Sequence, residues 1–311
     1  MLSLANTGEP LFLVNRSGNR PSYEGAAEYI DQAIALCRQA GFRRIAVRGD
    51  TDFTQTRHLD RWDADGVEFY FGIDATPNLV GYAESLPEAA WKLLPRQPRY
   101  DVKTRPRTRP TNVKEQVVRQ RQFENIVLQS EQVAEFAYRP TACDKLYSLV
   151  VVRKNLTVEK GEQALFDDIR YFFYLTNDRK TSPAEIVFLA NERCNQENLL
   201  SQLKNGVQAM RMPVDTLLSN WAYMVMGSLA WTLKAWFALL LPEGGRWATQ
   251  HGREKLAVLR MEFKTFLNAF IRVPAQVVRT GRRIAFRLLS WNPWQSVFLR
   301  GVDQLHGRLQ R

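Results

Sequence analysis

RRIAVRGDTDF at residues 43–53 and DGVEFYFGID at residues 65–74 each couple an apolar run to an acidic end. Ile45, Ala46 and Val47 form an unbroken apolar run, the pattern of a central strand covered on both faces. Asp65-Gly66 supplies a turn ahead of a second strand, Val67 to Ile73. Upstream, Leu11 to Val14 reads as a further strand, and NRSGNRPS after it is turn chemistry. Between them a helix is expected from about Tyr23 to Ala40, because Ala27, Ile30, Ala33, Ile34 and Cys37 recur at spacings of three and four before Gly41 ends the pattern. Strand, helix, strand, short helix, strand is an α/β layout with its sheet in the middle.

Beyond Asp74 the character changes. RQPRYDVKTRPRTRPTNVK, residues 96–114, cannot hold regular helix, since each proline removes a donor and restricts the residue before it. It reads as a basic arm, either lying along DNA or solvated. Asn125 to Tyr138, Leu146 to Arg153 and Ile169 to Leu175 are rich in Val, Phe and Tyr and predict strands of a β-rich insertion. Helices are expected to resume near Ser182 and to run almost without interruption to the C-terminus. Leu217 to Leu241 carries 18 uncharged residues between Asp215 and Lys234, at the lower edge of a membrane-spanning length. Its Asn220, Ser228, Thr232 and Lys234 point instead to a core helix. In the tail, Leu256, Leu259, Phe263, Phe266, Leu267 and Phe270 make an apolar helix face. Arg279, Arg282, Arg283 and Arg287 cluster among Phe286, Trp291 and Trp294, which either stack on bases or anchor the tail.

Charge is segregated. The formal net charge is +11, yet residues 96–121 hold +7 and residues 246–311 hold +10, leaving the rest of the chain at −6. An acidic body with two basic stretches suits a polyanionic partner better than uniform basicity does. Three cysteines, Cys37, Cys143 and Cys194, have no zinc or disulfide spacing, so a reducing, cytoplasmic setting is expected. The N-terminus has no basic n-region and only a short apolar stretch.

FLANERCNQENLLSQLKNG, residues 188–206, is the candidate site helix. At 100° per residue Arg193, Glu197, Leu200 and Lys204 fall on one stripe, spanning about 16 Å at a rise of 1.5 Å per residue. A carboxylate flanked by Arg and Lys is either an exposed salt-bridged face or a group that holds a divalent cation while its neighbours grip phosphates. Asp50 is either a strand-end residue that caps the next helix or a metal ligand, and Asp52 carries the same two readings.

Arg193, three residues, Glu197, six residues and Lys204 resembles the Tyr-Arg-Glu-Lys motif of bacterial insertion-sequence transposases of the DDE type, with Ala190 at the motif's tyrosine position. RGDTDF resembles the same family's second-carboxylate motif, and EFAYRPTACDKLYSLVVVRKN and ALFDDIRYFFYLTND look like the segments that precede its glutamate helix. The resemblance runs from Leu4 to about Pro242. It implies an α/β ribonuclease H-like core with a β-rich insertion and a helical C-terminal extension. The division expected is 1–75 for the first part of the core with its opening strand absent, 76–181 for the arm and insertion, 182–243 for the glutamate and apolar helices, and 244–311 for a basic helical tail. It further implies that Asp50 and Glu197 are catalytic and ligate Mg²⁺ (or Mn²⁺), which activates a water or a 3′-hydroxyl for in-line attack on a phosphodiester. Arg193, Lys204, Arg105, Arg107 and Arg109 would contact DNA. The implied partners are double-stranded DNA at transposon ends and target, and a second copy in a synaptic dimer, with no membrane. The family's first carboxylate belongs to a strand ahead of Leu11, and Met1 to Glu9 contain no Asp. The expectation is therefore a truncated transposase inactive alone, or a non-catalytic DNA-binding remnant.

Overall fold

The computed structural model describes residues 1–96, 113–160, 163–289 and 292–309. The chain forms two compact units, Ser22–Arg193 and a second that joins Met1–Pro21 to Cys194–Arg311. It opens with β1 (Leu2–Leu4) and β2 (Glu9–Phe12), an antiparallel hairpin that is a two-stranded sheet of its own. The strand expected at Leu11 to Val14 thus starts two residues earlier and is not part of the large sheet.

The unit Ser22–Arg193 holds that sheet. It begins with α1 (Ala26–Gln39), which buries Ala26, Ala27, Ile30, Ala33 and Ile34 as their spacing requires. Then come β3 (Ala46–Gly49), α2 (Leu59–Ala64), β4 (Glu68–Ile73), α3 (Pro77–Glu84), β5 (Lys92–Leu93) and α4 (Val113–Gln120). Three long strands follow, β6 (Glu124–Tyr138), β7 (Tyr147–Lys160) and β8 (Gln163–Thr176), and α5 (Pro183–Asn191) closes the unit. The sheet order is β3-β4-β8-β7-β6-β5. Only β3 and β4 pair in parallel and the other neighbours are antiparallel, so the α/β class expected is observed with a mixed sheet.

One expectation is corrected. β3 is the outermost strand on its side among the described residues, with Ala46 exposed and Ile45 and Val47 only half-buried. The doubly covered position belongs to β4, where Phe69, Tyr70 and Phe71 are all within 2% of full burial. A short apolar run does not report how many strands flank it.

Tyr70, Val133, Val150, Val152 and Tyr174 form one sheet face on which Ile186, Val187 and Ala190 of α5 pack. The start of α5 is fixed by a reciprocal capping box: Ser182 Oγ accepts from Glu185 N, and the Ser182 N–H donates to the Glu185 carboxylate. Just before it, buried Asp178 accepts from the amides of Lys180 and Thr181, from Thr181 Oγ1 and from Tyr70 Oη at 2.8 Å. Burial by itself would raise this carboxyl, but those donors win and hold its pKa down at about 2.

The other unit contains α6 (Asn195–Ser201), α7 (Leu217–Leu240), α8 (Ala248–Arg260), α9 (Phe263–Phe266), β9 (Ala275–Thr280), β10 (Arg283–Leu288) and α10 (Gln295–Leu309). Met224, Trp231, Ala235 and Ala238 bury one face of α7, and Met224, Trp231 and Ala238 join Leu199, Leu203, Val258, Phe263, Phe266, Phe270 and Val297 in one core. Three indole N–H groups of α7 hold the N-terminal segment: Trp221 donates to Leu13 O, Trp231 to Gly8 O and Trp236 to Glu9 Oε1. α7 is long and apolar enough by composition to cross a membrane. Its burial is nevertheless one-sided, with Leu218, Met226, Leu229 and Leu233 exposed, so it is not a helix covered all round. Within the buried face lies Lys234, whose ammonium donates to Leu259 O at 2.8 Å and Met261 O at 2.7 Å and sits 3.9 Å from the Trp231 ring centroid. It satisfies carbonyls at the end of α8, which ends at Arg260 and breaks the single helix expected through this region.

The tail holds a second surprise. Residues 275–288, expected as helix, form the β9–β10 hairpin, a separate two-stranded sheet.

Candidate functional site

Asp50 follows β3 directly and is the N-cap of a 3₁₀ turn, Thr51–Phe53, with its Oδ1 accepting from Thr51 N at 2.8 Å. Gly49 makes this approach possible. A Cβ there would lie 2.8 Å from the Phe71 ring and 3.0 Å from Phe53 Cβ, closer than van der Waals contact allows. The other carboxylate oxygen, Oδ2, is 2.8 Å from Arg193 Nη1. The capping contact and the ion pair of Asp50 therefore use different oxygens.

Arg193 sits in a 3₁₀ turn, Glu192–Cys194, immediately after α5. Because α5 is fixed to the sheet by Ile186, Val187 and Ala190, and because Asn191 Oδ1 accepts from Tyr174 Oη at 3.2 Å, this turn is delivered to the end of β3. A second ion pair crosses the same gap: Arg48 Nη1 lies 2.6 Å from Glu192 Oε2. Base then acid on the strand thus meets acid then base on the turn. Sequence reasoning does not single out Arg48 and Glu192. The one available signal, oppositely charged residues close together in both RGD and NER, has meaning only once the fold apposes the two segments. The Nε atoms of Arg48 and Arg193 are buried without a hydrogen-bond partner among the described residues. Asp52 is engaged elsewhere, accepting from Ser22 Oγ.

The helical run through the motif is not one α-helix. After α5 and the 3₁₀ turn it passes through α6 and then a π-turn, Gln202–Gly206, so a constant 100° per residue does not describe it. The buried positions are Leu199 and Leu203, and the stripe drawn through Leu200 does not hold. Glu197 is exposed on α6 and Lys204 is exposed on the π-turn. Both belong to the unit Cys194–Arg311, whereas Asp50 and Arg193 belong to the other. Arg105, Arg107 and Arg109 lie outside the described residues. Cys143 is buried and donates to Thr56 O at 3.1 Å, and burial, aided by Asp60 and Asp144, pushes its thiol up to about 11. Both features disfavour the thiolate form that a nucleophile needs.

A divalent cation at Asp50 would have to displace the Arg193 guanidinium. Among the described residues no group of three or more His, Cys, Asp or Glu is placed to hold a metal ion. Asp50 offers the hard oxygens such an ion takes, but a backbone amide and a guanidinium already hold both.

Against known sequences, residues 4–310 match the model of a family described as transposase DDE domain, group 1. No curated protein matches the chain.

Proposed function

We propose, from the fact that this chain belongs to the transposase DDE domain family, group 1, that it acts on the ends of a mobile DNA element, hydrolysing phosphodiester bonds and transferring strands. The family is one of phosphoryl-transfer enzymes and generally uses divalent metal ions. In this reading Asp50 and Glu197 are the acidic residues assigned to that chemistry with Mg²⁺ or Mn²⁺. Arg193 and Lys204 face substrate phosphates, and Arg105, Arg107 and Arg109 lie along the duplex in a dimer that joins two ends in the cytoplasm. The observation that carries the reading is the Asp50–Arg193 pair. Two segments 143 residues apart, each resembling a motif of the family, are joined at 2.8 Å.

A second reading has an observation of its own. Asp50 is held by Arg193, and in this reading the chain alone binds DNA without cleaving it. Incubating the protein with transposon-end DNA and Mg²⁺ or Mn²⁺ separates the two. Cleavage that is lost in both Asp50→Asn and Glu197→Gln supports the enzyme. Binding with no cleavage at any metal concentration supports the DNA-binding remnant. Cleavage that survives both substitutions contradicts the assignment of these carboxylates.

A further inference from the structure

We propose that the β9–β10 hairpin is a duplex-DNA docking ribbon that enters the major groove. The proposal rests on the reading that DNA is the partner, and adds the surface that meets it. AQVVRTGRRIAFRL, residues 275–288, contains four arginines and no acidic residue. Its loop is Gly281-Arg282, flanked by the pair Thr280–Arg283, and Gly281 has φ +52°. A glycine at positive φ followed by a residue at negative φ is the II′ turn, whose twist matches that of the two strands.

Residues directly opposite one another share a face. Phe286 lies opposite Val277 and Ile284 opposite Arg279 on one side, while Arg287 opposite Gln276 and Arg283 opposite Thr280 fall on the other. Val277, Ile284 and Phe286 are 58%, 56% and 69% exposed, and the four arginines are exposed with no ion-pair partner among the described residues. The base, by contrast, is fixed. Leu289 N donates to Pro274 O, buried Asn292 donates to Ala269 O, and Trp294 lies 5.9 Å from Phe270. The ribbon therefore projects from a firm anchor while its own two strands carry an apolar trio and four unneutralised charges into solvent. A two-stranded ribbon standing alone is marginal in water.

The major groove answers both features. It is about 12 Å wide and about 8.5 Å deep and admits a two-stranded ribbon, whose strands are about 4.8 Å apart. With the apolar face toward the floor, Phe286, Val277 and Ile284 meet thymine methyls, and Arg279 beside them meets the acceptors of guanine. The groove walls rise past the ribbon, so Arg282 at the tip and Arg283 and Arg287 on the far face reach phosphates. An anionic bilayer fits less well. Sinking the apolar face into it would carry the Arg279 guanidinium into hydrocarbon.

The test uses the full chain, a short fluorescent duplex and a series of salt concentrations. R279Q/R282Q/R283Q/R287Q is expected to flatten the plot of log K against log salt by about 0.9 for each phosphate that is no longer neutralised, roughly 3 in all. Phe286→Ser is expected to weaken binding several-fold with the slope unchanged. Both variants keep the parent's circular dichroism and unfolding midpoint. If the parent binds DNA and the quadruple variant matches its affinity and slope, the ribbon is not the docking element although DNA remains the partner. If the parent does not bind duplex DNA, the proposal and the functional reading fall together. If the quadruple variant loses binding to phosphatidylserine vesicles and not to DNA, the ribbon belongs to a bilayer and the proposal is overturned.

Discussion

The end of β3 and the β9–β10 ribbon are both arginine-bearing, and they use arginine in opposite ways. At β3 each guanidinium is matched to a carboxylate, Arg48 to Glu192 and Arg193 to Asp50, and the pairs join a strand to the turn after a helix. On the ribbon four exposed guanidiniums have no ion-pair partner among the described residues. Net charge alone does not separate these cases. A paired charge is committed to the fold, at little net gain when partly exposed, whereas an unpaired cluster on a solvent-facing ribbon is free to recruit a polyanion.

The largest expected effect breaks the paired region by volume. Gly49→Val places branched carbons where Phe71 and Phe53 already lie, and should cost about 2–3 kcal/mol in denaturant unfolding. A smaller loss comes from Asp178→Asn, which removes the acceptor that fixes the approach to α5 and is expected to cost about 1–3 kcal/mol. Its pH dependence has a defined sign. The folded carboxyl is depressed to about 2, so its contribution is present above the ordinary carboxylate range and fades as pH falls from about 4 toward 2. The difference in stability between parent and Asp178→Asn should shrink over that window, and a difference that stays constant would remove Asp178 from the account.

Lys234 sharpens the comparison as a buried cation with no acidic partner among the described residues. Burial lowers its pKa to about 8 from an ordinary value near 10.5. The unfolded chain then holds one more proton than the folded one between those values, so stability should rise as pH climbs from about 8 toward 10. Lys234→Met should abolish that rise in a pH series of unfolding midpoints. Smaller still is the coupling between Arg48 and Glu192. A double-mutant cycle with alanine at each position should return about 0.5–1 kcal/mol. The smallest effect belongs to the ribbon, where the four Arg→Gln changes should alter stability by less than about 0.5 kcal/mol.

Much of the fold is legible in the sequence. α1 declares itself through Ala27, Ile30, Ala33 and Ile34, and β6, β7 and β8 through their Val, Phe and Tyr content. The start of α5 at Pro183 agrees with helices resuming near Ser182. Asp50 and Arg193 stand out separately through their motifs, and their pairing needs the fold. Arg48 and Glu192 escape notice because an ion pair between segments 144 residues apart leaves no periodic trace. The 3₁₀ and π turns flanking α6 are invisible to a helical wheel, since local pattern carries no signal for a change of pitch. The ribbon reads as helix although Thr280-Gly281-Arg282-Arg283 carries glycine where a II′ turn demands it. The helical run before it outweighs that single residue.

Hydrogen exchange with and without duplex DNA, in metal-free buffer, tests the contrast between the two arginine sites most directly. DNA is expected to slow exchange at the amides of residues 275–288 far more than at residues 46–53, where without a metal ion Arg193 stays paired with Asp50. Protection at residues 46–53 with none on the ribbon would contradict it.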